Sequence, residues 1–202
     1  MSLPWLVLPG AYLLGAIPTS YLAARLIRGV DLREFGSKNL GATNLYRLLG
    51  LKVALPVGLF DVAKGMAPVL LVQRYADGDV WPIVVGLAAV LGHVFSPFVG
   101  FKGGKGVATA AGAFLGLTPL ALAVALVVWI VVVALTRFVS LGSVLAAGGF
   151  AASVPLFYGG RPALAAAGVA IFAFIAFTHR ANLRRLAAGT ESRIGRRREG
   201  GA

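Results

Sequence analysis

The stretch Gly100-Phe101-Lys102-Gly103-Gly104-Lys105-Gly106-Val107-Ala108-Thr109 sets four glycines and two lysines within seven residues, between two long apolar runs. Glycine lets backbone N–H groups turn inward and approach a ligand closely, and lysine adds a point charge, so the combination suits phosphate. It is not a nucleotide P-loop. That motif needs Gly-x4-Gly-Lys-[Ser/Thr], whereas Val99 stands five before Gly104 and Gly106 follows Lys105. A flexible basic loop at a membrane edge is the competing reading.

Two further polar stretches carry the same kind of chemistry. Gly36-Ser37-Lys38-Asn39-Leu40-Gly41-Ala42-Thr43-Asn44-Leu45-Tyr46-Arg47 alternates small residues, hydroxyls and amides with cations, as a ligand loop would. In His179-Arg180-Ala181-Asn182-Leu183-Arg184-Arg185-Leu186, a helix puts His179 and Asn182 on one face and Arg180 and Arg184 on another. Arg184 and Arg185 read as positive charge reaching for lipid head groups. For His179 and Asn182 a site role and a structural one stand level. Two motifs lie inside apolar runs. Asp61-x-x-Lys64 places opposite charges at i, i+3, where they neutralise each other or anchor a binding loop. Gly92-His93 precedes Lys102 by nine residues, about 13 Å along a helix, which favours a supporting role for His93.

Absences narrow the reaction. The acids on the loops that charge places with the glycine–lysine stretch are Asp31, Glu34, Glu191 and Glu199, with no paired Asp/Glu motif for Mg²⁺. Neither histidine begins a His-x4-Asp motif, and the chain has no cysteine, which rules out a thioester on the protein. A metal-free reaction on phosphate-bearing substrates, without a cofactor, fits.

The elements that must position these residues are apolar. Of 202 residues, 58% are hydrophobic and 13% charged, against about 25% charged in a soluble domain, and the mean hydropathy is +0.86. The chain therefore reads as an all-α integral membrane protein. Apolar runs fall at Leu3–Ile27 (broken by Gly15 and Pro18), Val53–Gln73, Val80–Val99, Val107–Leu135, Phe138–Phe157 and Ala163–Thr178. The N-terminal run lacks a basic start and a small-residue cleavage site, so it reads as a retained span. As one helix, Val107–Leu135 would be about 43 Å long, and Thr118-Pro119 marks a turn within it. Splitting it gives seven spans. All of the 19 Lys and Arg residues except Arg74, Arg161 and the intramembrane Lys64 then share one side. The positive-inside rule makes that side cytoplasmic, with the N-terminus outside and the C-terminus inside. Residues 1–194 read as a single transmembrane domain and residues 195–202 as a basic, disordered tail.

Asp31-Leu32-Arg33 with Gly36–Arg47, then Gly92-His93 with Phe101–Thr109, then His179–Arg193 resemble three signature blocks of the bacterial membrane acyl-phosphate:glycerol-3-phosphate acyltransferases. Order, spacing and length agree over essentially the whole chain, and Asp61-x-x-Lys64-Gly65 agrees too. The common family form of the first block is Gly-Ser-Gly-Asn-Pro-Gly-Ala-Thr-Asn. Lys38 here stands for its third residue, where it can add a phosphate contact, and Leu40 for its proline.

The resemblance implies transfer of a fatty acyl group from acyl phosphate to the 1-hydroxyl of glycerol 3-phosphate, giving lysophosphatidate and phosphate. It also implies seven spans in the bacterial inner membrane, with the loops facing the cytoplasm. Ser37, Lys105, His179 and Asn182 would serve catalysis. Lys38, Asn39, Gly41, Thr43, Asn44, Arg47, Lys102, Gly103, Gly104, Gly106 and Thr109 would bind substrate phosphate, supported by His93, Asp61 and Lys64. The expected partners are the two substrates and membrane lipid, with no nucleic acid; oligomeric state is not legible. A transporter of organic phosphates is the competing class, opposed by small size, lack of an internal repeat and polar groups gathered at one face. An acyl-CoA-dependent acyltransferase is a third.

Overall fold

The computed structural model describes residues 3–195, with side chains from Trp5 onward. The tail expected over residues 195–202 lies outside the described residues apart from Gly195. The described chain is helical throughout: α1 (Leu3–Ala16), α2 (Thr19–Arg28), α3 (Ala42–Leu49), α4 (Leu51–Gln73), α5 (Val80–Val94), α6 (Val107–Leu117), α7 (Pro119–Thr136), α8 (Val139–Phe157), α9 (Pro162–Thr178) and α10 (Arg180–Ala187). Packing divides the expected single domain into two compact units, Met1–Pro119 and Leu120–Ala202.

In the first unit α1 and α5 run parallel, with Trp5 and Trp81 meeting edge to face at their N-terminal ends, ring centroids 4.7 Å apart. Glycines allow the closest crossings. A Cβ on Gly15 would overlap the Ala89 backbone, and one on Gly92 the Tyr12 carbonyl. Gly65 and Gly112 do the same where α4 crosses α6, against Thr109 and Val62. Without a hydrophobic drive between helices in lipid, such small-residue contacts are what bring spans together. Pro18 breaks the first apolar run, as expected, and the carbonyls left over at the break find side-chain donors. Lys64 Nζ reaches the Ile17 carbonyl at 2.9 Å and Ser96 Oγ the Ala16 carbonyl at 2.5 Å.

In the second unit, Gly142 and Gly149 of α8 lie against Trp129, Val133 and Val128 of α7. Leu126, Val127, Ile130, Val131 and Leu135 of α7 point outward, as a lipid-facing surface does. α10 turns from α9 by 60°.

Helices occupy each of the expected apolar runs, with interruptions at Ile17-Pro18 and Phe95-Ser96, and the chain does break at Thr118, between α6 and α7. Five segments are long and apolar enough to cross a bilayer: Trp5–Arg28, Leu51–Gln73, Val80–Val99, Pro119–Thr136 and Val139–Phe157. The bent pair α9 and α10 makes six if counted as one span. With 11 residues, α6 reaches about 16 Å, roughly half of a ~30 Å hydrocarbon core.

Candidate active site

The first polar loop connects α2 to α3 and is built around one amide. Asn44 is buried, and its Nδ2 donates to the carbonyls of Leu32, Phe35 and Asn39 at 3.2, 2.9 and 3.1 Å. Its Oδ1 accepts from the Ser37 backbone N–H at 3.0 Å. Asn44 thus folds the loop over itself and holds Ser37 and Asn39 at its rim. Gly36 is left-handed (φ 58°), and any Cβ there would overlap Asn44 Oδ1. Lys38 is left-handed as well (φ 58°), a conformation that L side chains rarely adopt, and its side chain is exposed. Asp31 opens the loop, and hydrogen bonds from the Arg33 side chain and backbone hold its carboxyl down at about 2. Thr43 and Arg47, four residues apart on α3, share a half-buried face.

A small hydrophobic cluster joins this loop to the glycine–lysine loop. Leu32, Leu40 and Leu45 of the first block pack with Ala24, Ala54 and Val99, and Val99 lies just before Gly100. The glycine–lysine loop is then pinned to the end of α5. Gly103 N–H donates to the Val94 carbonyl at 2.9 Å and Gly104 N–H to the His93 carbonyl at 3.1 Å. Lys102 is exposed and Lys105 half-buried, and the chain passes through left-handed Gly106 (φ 81°) into the N-terminus of α6. Thr109, in the first turn of α6, is fully buried, and its hydroxyl has no hydrogen-bond partner.

Beneath the loop, Asp61 and Lys64 form a buried ion pair at 2.7 Å. Thr19 Oγ1 donates to Asp61 Oδ1 at 2.7 Å, and His93 Nδ1 lies 3.8 Å from the same oxygen. The i, i+3 spacing gave the pair. Thr19 and Ser96 were missed because each partner is tens of residues away; the hydroxyls beside Pro18 and Pro97 were the available signal.

His179 and Asn182 belong to the second unit. His179 is buried at the corner between α9 and α10, where Nδ1 donates to the Ile175 carbonyl at 2.8 Å. That places a proton on Nδ1. Asn182 Nδ2 donates to Glu191 Oε1 at 2.6 Å. The same carboxylate accepts from Ser140 Oγ at 2.8 Å and Arg185 Nε at 2.7 Å. Arg185, read above as surface charge, is therefore half of an ion pair. Burial pushes the Glu191 carboxyl up, but its donors Asn182, Ser140 and Arg185 together hold it below the usual carboxylate range. Glu191 went unassigned in the sequence, although a lone acid in a basic run was visible there.

A family model described as glycerol-3-phosphate acyltransferase matches residues 5–189. A glycerol-3-phosphate acyltransferase of Geobacter sulfurreducens is 50% identical over 187 residues, 91% of this chain and 94% of that protein. One of Chlorobaculum parvum is 40% identical over 216 residues, 91% and 93% of the two chains. Among solved structures, PlsY (YgiH), an integral membrane glycerol 3-phosphate acyltransferase, is similar in two forms. Its glycerol 3-phosphate form has a TM-score of 0.89 at 39% identity, covering 95% of this chain and 96% of that one. Its lysophosphatidic acid form has a TM-score of 0.86 at 38% identity, covering 95% of each.

Proposed function

The chain belongs to the glycerol-3-phosphate acyltransferase family, and on that premise we propose that it transfers a fatty acyl group from acyl phosphate to the 1-hydroxyl of glycerol 3-phosphate. The products are lysophosphatidate and inorganic phosphate. The observation that carries this reading is the likeness, over 95% of the chain, to a membrane acyltransferase in forms named for glycerol 3-phosphate and lysophosphatidic acid.

Acyl phosphate is a mixed anhydride and already activated, so alignment and charge stabilisation suffice. The glycerol oxygen attacks the acyl carbon, the bond from that carbon to the phosphate oxygen breaks, and phosphate departs. A phosphate dianion, whose conjugate acid has a pKa of about 6, takes the hydroxyl proton, which makes the transfer direct and substrate-assisted. Arg47 grips one phosphate bidentately. Lys102 and Lys105 hold the other, with the N-terminus of α6 opening behind Lys105. Ser37, Lys38, Asn39 and Thr43 line the loop that Asn44 and Gly41 shape. His179 and Asn182 keep the orienting or polarising role that the family resemblance implies. We read the transfer as one that uses no protein-held metal. Seven spans, with the N-terminus outside and the site facing the cytoplasm, complete the reading.

The test is detergent-solubilised protein given acyl phosphate and glycerol 3-phosphate separately and together. Phosphate release that needs both substrates is expected. Turnover with acyl-CoA and none with acyl phosphate would overturn the donor, and no product with either would overturn the reading.

A further inference from the structure

The buried imidazole between the Asp61–Lys64 pair and the glycine–lysine loop has a shape-specific contact on each side. Its Nδ1 faces Asp61 Oδ1 at 3.8 Å. On the opposite side Gly104 rests on the ring, and a Cβ there would overlap Nε2, Cδ2 and Cε1 of His93. No other residue supplies any of the three nearest atoms. Gly104 is also not in the left-handed region, so the backbone itself would accept a side chain. Gly103 differs, because its Cβ would strike the carbonyls of His93 and Val94. The sequence has glycine at 104 because a histidine ring fills the space beneath it.

The ring does not stand alone. Asp61 is held by Thr19 at the start of α2 and by Lys64, and Lys64 in turn holds the Ile17 carbonyl at the α1–α2 break. The platform under Gly104 is thus tied to α1, α2, α4 and α5 together, while the loop above joins it through the Gly103 and Gly104 N–H groups. From this we infer that His93 is a positioning residue: its ring, seated on Asp61, sets the height at which Lys105 and the N-terminus of α6 beyond it meet a substrate phosphate. The inference rests on the reading of this loop as phosphate-binding. The phosphate belongs to one of the two substrates, and the assay identifies which.

Removing the ring leaves Asp61 with Lys64 and Thr19, so its charge stays paired and the fold should tolerate the change. The loop should sink or loosen instead. Displacement by about 1 Å costs up to a hundredfold in a well-aligned site. His93→Ala is therefore expected to raise the KM for one phosphate-bearing substrate about tenfold, with kcat and the other KM within about threefold. His93→Gln, which keeps a planar group of similar reach, should restore most of that loss.

The decisive measurement is a double-mutant cycle on the purified full chain. Gly104→Ala alone forces the new methyl onto the ring and should raise the same KM by at least about tenfold. In Gly104→Ala/His93→Ala the methyl enters the vacated space, so the double variant should bind that substrate better than Gly104→Ala. Losses that multiply, or a His93→Ala enzyme with unchanged KM values and only a lower unfolding temperature, would make His93 a packing residue and overturn the inference. A wild-type chain inactive with both substrates would remove the phosphate reading and this inference with it, whereas an active wild type with multiplying losses removes the inference alone.

Discussion

Lys38 adopts a left-handed backbone that costs an L residue roughly 1–2 kcal/mol, where glycine would pass without strain. Glycine's greater freedom in the unfolded chain returns about 0.5–1 kcal/mol of that. Lys38→Gly is therefore expected to stabilise the protein slightly, by about 0.5–1 kcal/mol, seen as a higher unfolding midpoint in detergent. If Lys38 contributes its charge to substrate binding, the same variant will bind a phosphate-bearing substrate less well. Arg47→Ala and Lys105→Ala should each nearly abolish turnover, because both cations sit half-buried beside the glycine-rich turns, where charge acts in a partly dry setting. Truncation after Gly195 should change little, since it removes none of the cations of the glycine-rich loops. Equal losses in both sets would point to general membrane attraction in place of a site.

Among the elements, the turn from α9 into α10 depends on one carboxylate. Glu191 gathers Ser140 from α8, Asn182 and Arg185 from α10, and with them fixes the segment after α10. Glu191→Gln keeps the shape but loses the charge-assisted bonds, and about 1–2 kcal/mol of stability with them. The pH dependence has a defined sign. The Glu191 carboxyl is held below its ordinary 4.5, so its stabilisation is present above that value and is lost as pH falls through the depressed folded value. Unfolding midpoints of wild type and Glu191→Gln, measured from neutral to acidic pH, should converge at the acid end. A constant gap between them would show that the carboxylate is not the source. The α9–α10 corner was legible in part: the apolar run and the following basic block were plain, and His179 was placed at the junction. The hub was not, because nothing in the local pattern says that Asn182 and Arg185 turn toward residue 191.

For the whole molecule, activity should survive excess chelator, since the sequence offers no paired carboxylates to hold a divalent ion. Loss of activity that Mg²⁺ restores would show a metal requirement. Direct transfer makes a second prediction at this scale. Protein incubated with labelled acyl phosphate alone and quenched in acid should carry no stoichiometric label. Label that chases into product on adding glycerol 3-phosphate, and is missing in Ser37→Ala, would make Ser37 a covalent nucleophile.

Membrane class, the helical runs, the break at Thr118-Pro119 and the three polar blocks were all determined by the sequence itself. Each depends on composition over a window or on residues a few positions apart, and the transfer of apolar side chains out of water acts on such windows regardless of partners. Only the tertiary structure decided what the polar residues touch. It turned Asn44 inward to brace its own loop, put Lys38 in a left-handed turn, and seated His93 between Asp61 and Gly104. It also gathered Ser140, Asn182 and Arg185 on Glu191. Such contacts join residues up to tens of positions apart, and a buried donor or charge takes whichever partner packing brings within reach.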